Sequence, residues 1–250
     1  MRIIPVMDVK DGMVVRGVGG RREDYRPITS QLTSSSLPVD VARAFRDRLG
    51  LCEFYLADLD AINGKEPAWT TYEGIQSLGC RLWVDAGVRG ADDAHALTKA
   101  AIETIIIGLE TIAGPQEAEA ICRTLGSARV IFSVDTKQGR PLGDSRFWRA
   151  PDAYSIASQV IGFGIRRLII LDLAQVGLGT GLGTEELCRR IAKAYPGVEI
   201  SAGGGIQGPA DLGRLAECGI QSALIASALH DGRLRPEHLP VPAKMGGAAP

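Results

Sequence analysis

A short acidic phrase occurs twice in this sequence. Residues 8–12 (DVKDG) follow one apolar run, and residues 135–139 (DTKQG) follow another. Each copy places an aspartate at the end of a segment typical of a buried strand, with lysine two residues later and glycine four residues later. Two carboxylates at equivalent strand ends of a duplicated fold can face one site, where they can act as general base and general acid. The repeat therefore predicts proton-transfer chemistry by Asp8 and Asp135. The alternative is that each aspartate only caps the following turn.

The elements that must position these aspartates alternate along the chain. Short apolar runs predict strands, and the segments of mixed polarity between them predict helices. Eight such units in 250 residues favour a closed (β/α)8 barrel over an open eight-stranded sheet. The strands are expected at 2–7, 53–58, 81–85, 104–108, 130–134, 167–172, 198–202 and 222–226, and the helices at 39–49, 70–78, 91–100, 115–125, 152–163, 184–195, 209–218 and 228–236.

Further landmarks repeat in the same order. Residues 85–90 match 203–208, and 105–108 match 223–226, both at an offset of 118, while 56–59 match 170–173. This pattern predicts an internal half-barrel duplication. We expect one domain at 1–238, with halves of about 1–125 and 126–238, and a loosely ordered tail at 239–250 that is rich in Pro, Gly and Ala.

Composition argues against several classes of function. The net charge is −1, and no stretch combines basic and aromatic residues in the way that nucleic-acid surfaces do. No apolar run reaches the roughly 18 residues of a membrane span, and the N-terminus predicts a strand rather than a signal peptide. The five cysteines are widely spaced and the three histidines do not cluster, so we expect a cytoplasmic protein with reduced thiols and no metal site. Nothing indicates the oligomeric state.

Glycine clusters mark candidate phosphate sites. Gly203, Gly204 and Gly205 follow the seventh predicted strand and precede a helix, where backbone N–H groups can bind an anion. A tight turn explains one glycine there but not three. The equivalent turn around Gly87 is a weaker candidate, because Asp85 would repel a phosphate.

Two long loops lie at the predicted mouth of the barrel. The segment 16–36 contains glycines, arginines and three consecutive serines, and we interpret it as a lid over the substrate rather than a plain surface loop. The segment 178–184 is rich in glycine but lacks the lysine of a phosphate-binding P-loop, so it is expected to be a mobile loop over the site.

Residues 3–16 (IIPVMDVKDGMVVR) resemble the opening of the paired histidine-biosynthesis barrels, the phosphoribosylformimino-aminoimidazole carboxamide ribotide isomerase and the cyclase subunit of imidazole glycerol phosphate synthase. The resemblance covers about residues 1–235. The arginine at position 16 resembles the isomerase pattern, because the cyclase pattern has lysine at this position.

The resemblance implies an Amadori rearrangement, in which an aminoaldose becomes an aminoketose without a metal or organic cofactor. Asp8 matches the catalytic base, and Asp135 matches the acid that opens the sugar ring. A bisphosphorylated, sugar-like substrate would span the mouth, with phosphate sites after strands three and four and after strands seven and eight. The residues and the resemblance together give these candidates for substrate or phosphate binding: Arg16, Gly87, Arg89, Gly108, Gly177, Gly181, Gly204, Gly205 and Ser227.

The chain also departs from the pattern that it resembles. Asp85 and Ala86 replace two glycines of the first glycine-rich turn, and Leu109 follows Gly108 where the family has Ser or Thr. Residues 176–178 (VGL) replace an Asp-Gly-Thr phrase, and 226–227 (AS) replace glycine followed by a basic residue. Three functions therefore stay open: an isomerase of the histidine-biosynthesis type, a diverged paralogue that acts on another phosphorylated substrate, and a non-catalytic barrel that binds phosphorylated metabolites. Residues 22–27 and 55–64 resemble a paralogue branch linked to methanopterin-dependent one-carbon metabolism.

Overall fold

Eight parallel strands close into a barrel in the computed structural model, which describes residues 1–177 and 183–239. Successive barrel strands pair along the chain, and the ring closes because the first strand pairs with both the second and the eighth. The barrel strands are β1 (Arg2–Lys10), β2 (Glu53–Asp58), β3 (Arg81–Asp85), β4 (Thr104–Gly108), β5 (Val130–Lys137), β6 (Arg167–Asp172), β7 (Glu199–Gly203) and β8 (Ser222–Ile225). The predicted (β/α)8 barrel is confirmed, and the open-sheet alternative is excluded.

Helices connect successive strands and lie close to the predicted positions. The α-helices of the described residues are α1 (Pro38–Leu49), α2 (Leu59–Ile62), α3 (Trp69–Gln76), α4 (Ala91–Lys99), α5 (Pro115–Leu125), α6 (Ala153–Gly162), α7 (Glu185–Ala194), α8 (Pro209–Glu217) and α9 (Ser227–His230). The helix predicted at 228–236 is only one turn long. It ends early because the chain turns at Gly232, whose φ of +68° is not helical.

The two copies of the acidic phrase form the same local structure. β1 and β5 run past their predicted ends, and each pairs with a short antiparallel strand, Met13–Arg16 or Arg140–Pro141. The connecting turns are Asp11-Gly12 and Gln138-Gly139, and all four residues have φ between +49° and +75°. Positive φ at both central positions is the signature of a type I′ hairpin turn. The glycine four residues after each aspartate is therefore a hairpin residue.

Alternating strand residues form two apolar layers. Ile4, Ile106, Ile131 and Ile169 belong to a small cluster contributed by β1, β4, β5 and β6. The other strand faces pack against the helices in a larger cluster that includes Phe132, and both clusters consist of buried side chains. This alternation follows from the two-residue period of a strand, with one face inside the barrel and the other under the helices.

The amino-terminal end of the barrel is filled by a charged layer around Trp83. The guanidinium groups of Arg2 and Arg167 lie 5.5 and 5.0 Å from the centre of the Trp83 ring. The indole N–H of Trp83 donates to Glu53 Oε1 at 2.9 Å, and Arg2 also forms an ion pair with Glu199. Substrate access therefore belongs to the opposite end, where the strands terminate.

Several other predictions concern the cysteines, membrane-spanning segments and the end of the chain. All five cysteines are free, and four of them are buried. None of the helices in residues 1–177 and 183–239 is long and apolar enough to cross a membrane. The predicted tail lies outside the described residues from position 240 onward, and the assignment of residues 1–238 to one domain stays a prediction.

Candidate active site

One cavity opens at the carboxyl ends of the barrel strands, and both predicted catalytic aspartates line it. Asp8 projects from β1 beside the first hairpin, where it pairs with Val15 and, across the barrel sheet, with Ala57. Asp135 occupies the equivalent place on β5, in register with Leu171 of β6. Both carboxylates are therefore held by strand ladders rather than by loops.

Burial raises the pKa of both aspartates. The pKa of Asp8 rises from 3.8 to about 6 because burial disfavours the carboxylate, and the charge of Arg22 offsets part of this effect. The pKa of Asp135 also rises to about 6 through burial, although Ser133 Oγ donates to Asp135 Oδ1 at 2.7 Å and opposes the shift. Carboxyl groups that titrate near neutral pH can both accept and donate protons, as general acid–base catalysis requires.

A third carboxyl group, that of Asp85, lines the same cavity. It stands at the end of β3 and accepts a hydrogen bond from the backbone N–H of Gly87 at 3.0 Å. Burial raises its pKa to about 7, with a further upward contribution from the negative charge of Asp135 and a downward one from the Gly87 N–H. The Tyr55 hydroxyl lies 3.5 Å from Asp85 Oδ2.

Replacing Asp85 by asparagine is expected to stabilise the protein at about pH 8 by about 2 kcal/mol. The folded pKa of about 7 lies above the ordinary value of 3.8, so the folded state favours the protonated form of Asp85. The stability that this carboxyl contributes is present at low pH and is lost as the pH rises through about 7. The gain from Asp85→Asn should therefore shrink as the pH falls toward 4. Urea unfolding at several pH values measures it.

The exposed Asp92 on the same connection provides a matched control, and its change to asparagine should alter stability by less than about 0.5 kcal/mol. A gain from Asp85→Asn that did not vary with pH would contradict the linkage argument.

Two tyrosine hydroxyls complete the polar lining. Burial and the surrounding carboxylates raise the pKa of Tyr55 and of Tyr25 well above the usual value, so both hydroxyls keep their protons at neutral pH. Tyr55 is affected by the negative charges of Asp85, Asp135 and Asp8 together, and Tyr25 by that of Asp8. Both hydroxyls can therefore donate hydrogen bonds into the cavity.

The segment after the first hairpin, which the sequence predicts to be a lid, contributes to the lining of the cavity. Arg22 lines the cavity and forms a two-pronged ion pair with Glu110, with N–O distances of 3.0 and 2.6 Å. Lys10 Nζ donates to the carbonyl oxygen of Arg22 at 3.0 Å, and the N–H of Gly19 donates to Val176 O at 2.8 Å. The lid is therefore fastened to the loops after β4 and β6.

The glycines at the lid junction permit close backbone contact. A Cβ atom on Gly17 would lie 2.9 Å from Asp8 Oδ2, and one on Gly177 would lie 2.2 Å from Gly17 O. Gly177 also has a φ of +72°. A side chain at either position would push the lid away from the mouth.

The basic end of the cavity combines residues of the second half of the barrel with Arg16 of the first hairpin. The predicted binding residues Gly204, Gly205 and Ser227 line it. Arg16 and Arg233 line it as well, and both form ion pairs with Asp231. Gly204 and Gly205 have φ values of +90° and +73°, so two of the three glycines adopt a backbone conformation that other residues disfavour.

Three predicted binding residues are not among the residues that line this cavity. Gly87 packs against α2, where a Cβ atom would be 2.6 Å from Ile62 Cα. Arg89 donates to the carbonyl oxygens of Gly87 and Ile62 at 2.8 and 3.0 Å, so it fastens the same turn. Gly108 lies beneath Asp85, whose Oδ2 would be 3.6 Å from a Cβ atom on it. These contacts give Gly87 and Arg89 a structural role at this turn, the binding roles of all three stay predictions, and Gly181 lies outside the described residues.

Other aspartates at the strand ends hold the loops. Asp58 accepts from the N–H groups of Ala61 and Ala68 and from the Tyr72 hydroxyl, at 2.6–3.0 Å. These bonds fix the connection that follows β2. The type I′ turns are held in the same way, the first by Asp60 and the second by Asp172.

Sequence reasoning missed several residues of the lining. Tyr25, Tyr55 and Glu110 were not selected, and Arg22 was noted only as one of several arginines in the lid. The position of Tyr55 in the lining could have been predicted. Tyr55 lies on the same face of its strand as Ala57, and Ala57 is two residues closer to the mouth of the barrel. The Asp11-Gly12 dipeptide was also a strong hairpin signal. No local signal pairs Arg22 with Glu110, because they are 88 residues apart.

Comparison with known proteins shows the family to which this chain is related. Residues 2–235 match the family model described as "Histidine biosynthesis protein". The chain belongs to this family. An uncharacterized protein of Methanocaldococcus jannaschii is 31% identical over 244 residues, which are 96% of this chain and 97% of the relative.

Two further relatives of this histidine biosynthesis family are named as 1-(5-phosphoribosyl)-5-((5-phosphoribosylamino)methylideneamino)imidazole-4-carboxamide isomerase. The protein of Desulfitobacterium hafniense strain Y51 is 28% identical over 245 residues, covering 93% of both chains. The protein of Streptococcus sanguinis is 26% identical over 243 residues, covering 96% of this chain and 97% of the relative. The family resemblance stated from the sequence is confirmed over nearly the whole chain.

Proposed function

We propose that this protein is an aldose–ketose isomerase that acts on a phosphorylated, sugar-like substrate. The observation that carries the proposal is the pair of aspartates on matching hairpins, Asp8 and Asp135, which line one cavity and each have a pKa raised to about 6. The names of the isomerase relatives support the same class of reaction.

The proposed reaction needs one proton donor and one proton acceptor. Asp135 donates a proton to the ring oxygen as the bond between C1 and that oxygen breaks, which leaves a C1–nitrogen double bond. Asp8 then removes the proton from C2, and a proton added at C1 with loss of the C2 hydroxyl proton gives the ketose. The assignment of Asp8 as the base and Asp135 as the acid follows from the family resemblance. Ser133 binds Oδ1 of Asp135, so Oδ2 is the oxygen that carries the proton.

The basic end of the cavity suits one phosphate. The turn at Gly204 and Gly205 offers backbone N–H groups, Ser227 offers a hydroxyl, and Arg233 and Arg16 supply positive charge that Asp231 only partly balances. Phosphate binding here would place the sugar toward the centre of the mouth, between the two aspartates.

The rate is expected to depend on pH with a maximum near about 6. Below this pH the base becomes protonated, and above it the acid loses its proton, so kcat/KM should fall on both sides. The two groups titrate as a pair, and the fitted values belong to the pair. A steady-state profile from about pH 5 to 9 measures this. A flat profile across this range, with the protein folded throughout, would argue against carboxyl acid–base chemistry.

A second candidate is favoured by Asp85. The relatives' isomerase substrate carries two phosphoribosyl groups according to their printed names, whereas here a carboxyl group occupies the first glycine-rich turn. We therefore also propose a diverged paralogue with the same acid–base chemistry and another substrate.

Expression in a histidine auxotroph that lacks the isomerase separates the two candidates. Restored growth supports the histidine-biosynthesis isomerase, and no growth in the presence of soluble protein supports the paralogue. Asp8→Asn in the same strain is the negative control, since it should abolish any growth that the unaltered chain restores.

A further inference from the structure

We propose that Asp85 selects a substrate with one phosphate and, at the opposite end, an amine or another cationic nitrogen group. The phosphate binds in the second half of the barrel, and the cationic group lies beside Asp85 in the first half. This inference rests on the proposed isomerase function of the same cavity, whose substrate class it specifies.

The internal repeat shows that the two ends of the cavity have opposite character. Asp85 and Gly87 correspond to Gly203 and Gly205 at the offset of 118 residues. No side chain fits at Gly203, where a Cβ atom would lie 2.7 Å from Leu224 Cβ and 2.8 Å from Leu224 O. At the equivalent place in the first half, a carboxyl group faces the cavity. An anion site in one half is therefore matched by an acidic group in the other.

The groups that could bind a second phosphate in the first half already have partners within the chain. The backbone N–H of Gly87 donates to Asp85 Oδ1 at 3.0 Å. The guanidinium of Arg89 donates to two backbone carbonyl oxygens and lies outside the cavity lining. A second phosphate would have to displace these bonds and approach a buried carboxyl group, which is electrostatically unfavourable.

The charge balance around Asp85 favours a cation. Asp8, Asp135 and Glu110 line the same cavity as Asp85, and the negative charges of Asp135 and Glu110 act on it. Among the residues that the structure describes, Arg22 is the one basic side chain of the lining that stands with them, and Glu110 already forms a two-pronged ion pair with it. The three aspartates are thus left without a cationic partner of equal charge. A substrate nitrogen that carries positive charge would supply one.

Such a nitrogen also fits the proposed reaction. When the sugar ring of an aminoaldose opens, the nitrogen on C1 becomes part of a protonated imine and carries positive charge. A carboxylate beside it stabilises that charge more than it stabilises the neutral ground state. Asp85 would act there through its charge, while Asp8 and Asp135 transfer the protons.

Cation binding should expel a proton from Asp85. The groups facing this carboxyl are the Tyr55 hydroxyl, the Gly87 N–H, and the charges of Asp135, Glu110 and Arg22, and its pKa lies at about 7. Slightly below that pH most Asp85 side chains are protonated. A cationic ligand stabilises the ionised form, so its binding releases up to about one proton.

Isothermal titration calorimetry with three commercial probes tests the proposal. The probes are a hexosamine monophosphate, the matching hexose monophosphate and the matching hexose bisphosphate, each titrated at about pH 6.5 in buffers with different ionisation enthalpies. The hexosamine monophosphate should bind at least about tenfold more tightly than the hexose monophosphate, with proton release. The bisphosphate should bind more weakly than the hexose monophosphate.

The variants identify the group responsible. Asp85→Asn should remove both the tenfold preference and the proton release, while phosphate-dependent binding of the hexose monophosphate remains. Asp92→Asn, which changes an exposed acid on the same connection, should keep both. Equal binding of the amine and hydroxyl probes by the unaltered protein, binding of neither at millimolar concentration, or an unchanged preference in Asp85→Asn would each overturn the inference.

These results do not depend on turnover. If the unaltered protein shows no preference for the amine probe, but Asp8→Asn still lowers turnover, this inference fails and the isomerase proposal stands. Retained preference with no effect of Asp8→Asn or Asp135→Asn on turnover would remove the isomerase proposal instead.

Discussion

Asp8→Asn and Asp135→Asn are each expected to lower kcat by about a thousandfold with little change in KM. An asparagine keeps the shape of the side chain but can neither accept nor donate the proton, and general acid–base catalysis typically contributes about 10² to 10⁴ in rate. Because both steps of the proposed reaction are needed, the double variant should lose little more than either single variant. The measurement is steady-state turnover. If expression of this chain restores growth of the histidine auxotroph, the substrate to use is that of the histidine-biosynthesis isomerase.

The first hairpin supplies a matched control. Asp11 lies three residues after Asp8, is exposed and has a φ of +49°, a conformation that asparagine also tolerates. Asp11→Asn should therefore keep kcat within about twofold. Circular dichroism and urea unfolding of all variants separate loss of chemistry from loss of fold. Full turnover by the folded Asp8→Asn and Asp135→Asn proteins would favour the non-catalytic barrel.

Gly87→Ala is expected to destabilise the protein by about 3 to 4 kcal/mol. The residue has a φ of +69°, which costs about 1 kcal/mol for alanine, and the new methyl group would lie 2.6 Å from Ile62 Cα and 3.1 Å from Ala61 O. Both contacts are with backbone, so no side-chain rotation relieves them. Urea unfolding should show the loss as a lower midpoint with an unchanged slope.

Gly79→Ala isolates the cost of the backbone conformation. Gly79 has a φ of +74°, and nothing lies within 4 Å of a Cβ atom placed there. The Gly79→Ala variant should therefore lose only about 1 kcal/mol of stability. The difference in stability between the two variants then measures the collision of the Gly87→Ala methyl group with α2. The sequence suggested instead that Gly87 binds phosphate. A Gly87→Ala protein of normal stability but with a raised KM would support that role and contradict the structural one.

The sequence predicted the barrel because its signals are local and repeated. Each of the eight strands is a short apolar run between helix-length segments, and burial of both strand faces produces that pattern without reference to distant residues. The aspartates at positions 8 and 135 were found for the same reason, since each ends such a run and the duplication marks them twice.

Contacts between distant loops could not be predicted in this way. The pairing of Arg22 with Glu110 and the seating of Gly177 on the Gly17 carbonyl depend on where the lid folds across the mouth. Arg89 is another such case, because a basic residue beside a glycine turn is a candidate ligand for phosphate by sequence alone. In the structure its donors bind backbone carbonyl oxygens. Side-chain direction decides such cases, and one sequence does not specify it.

The hairpins at the ends of β1 and β5 have a consequence for how this barrel can diverge. Because Asp8 and Asp135 are fixed within strand ladders and each turn is tied down by a neighbouring aspartate, their placement does not depend on the loops beyond. The lid and the glycine turns can therefore accumulate changes, including a carboxyl group at position 85, without moving the acid–base pair. Evolution can thus vary the specificity of this scaffold while its chemistry is inherited intact.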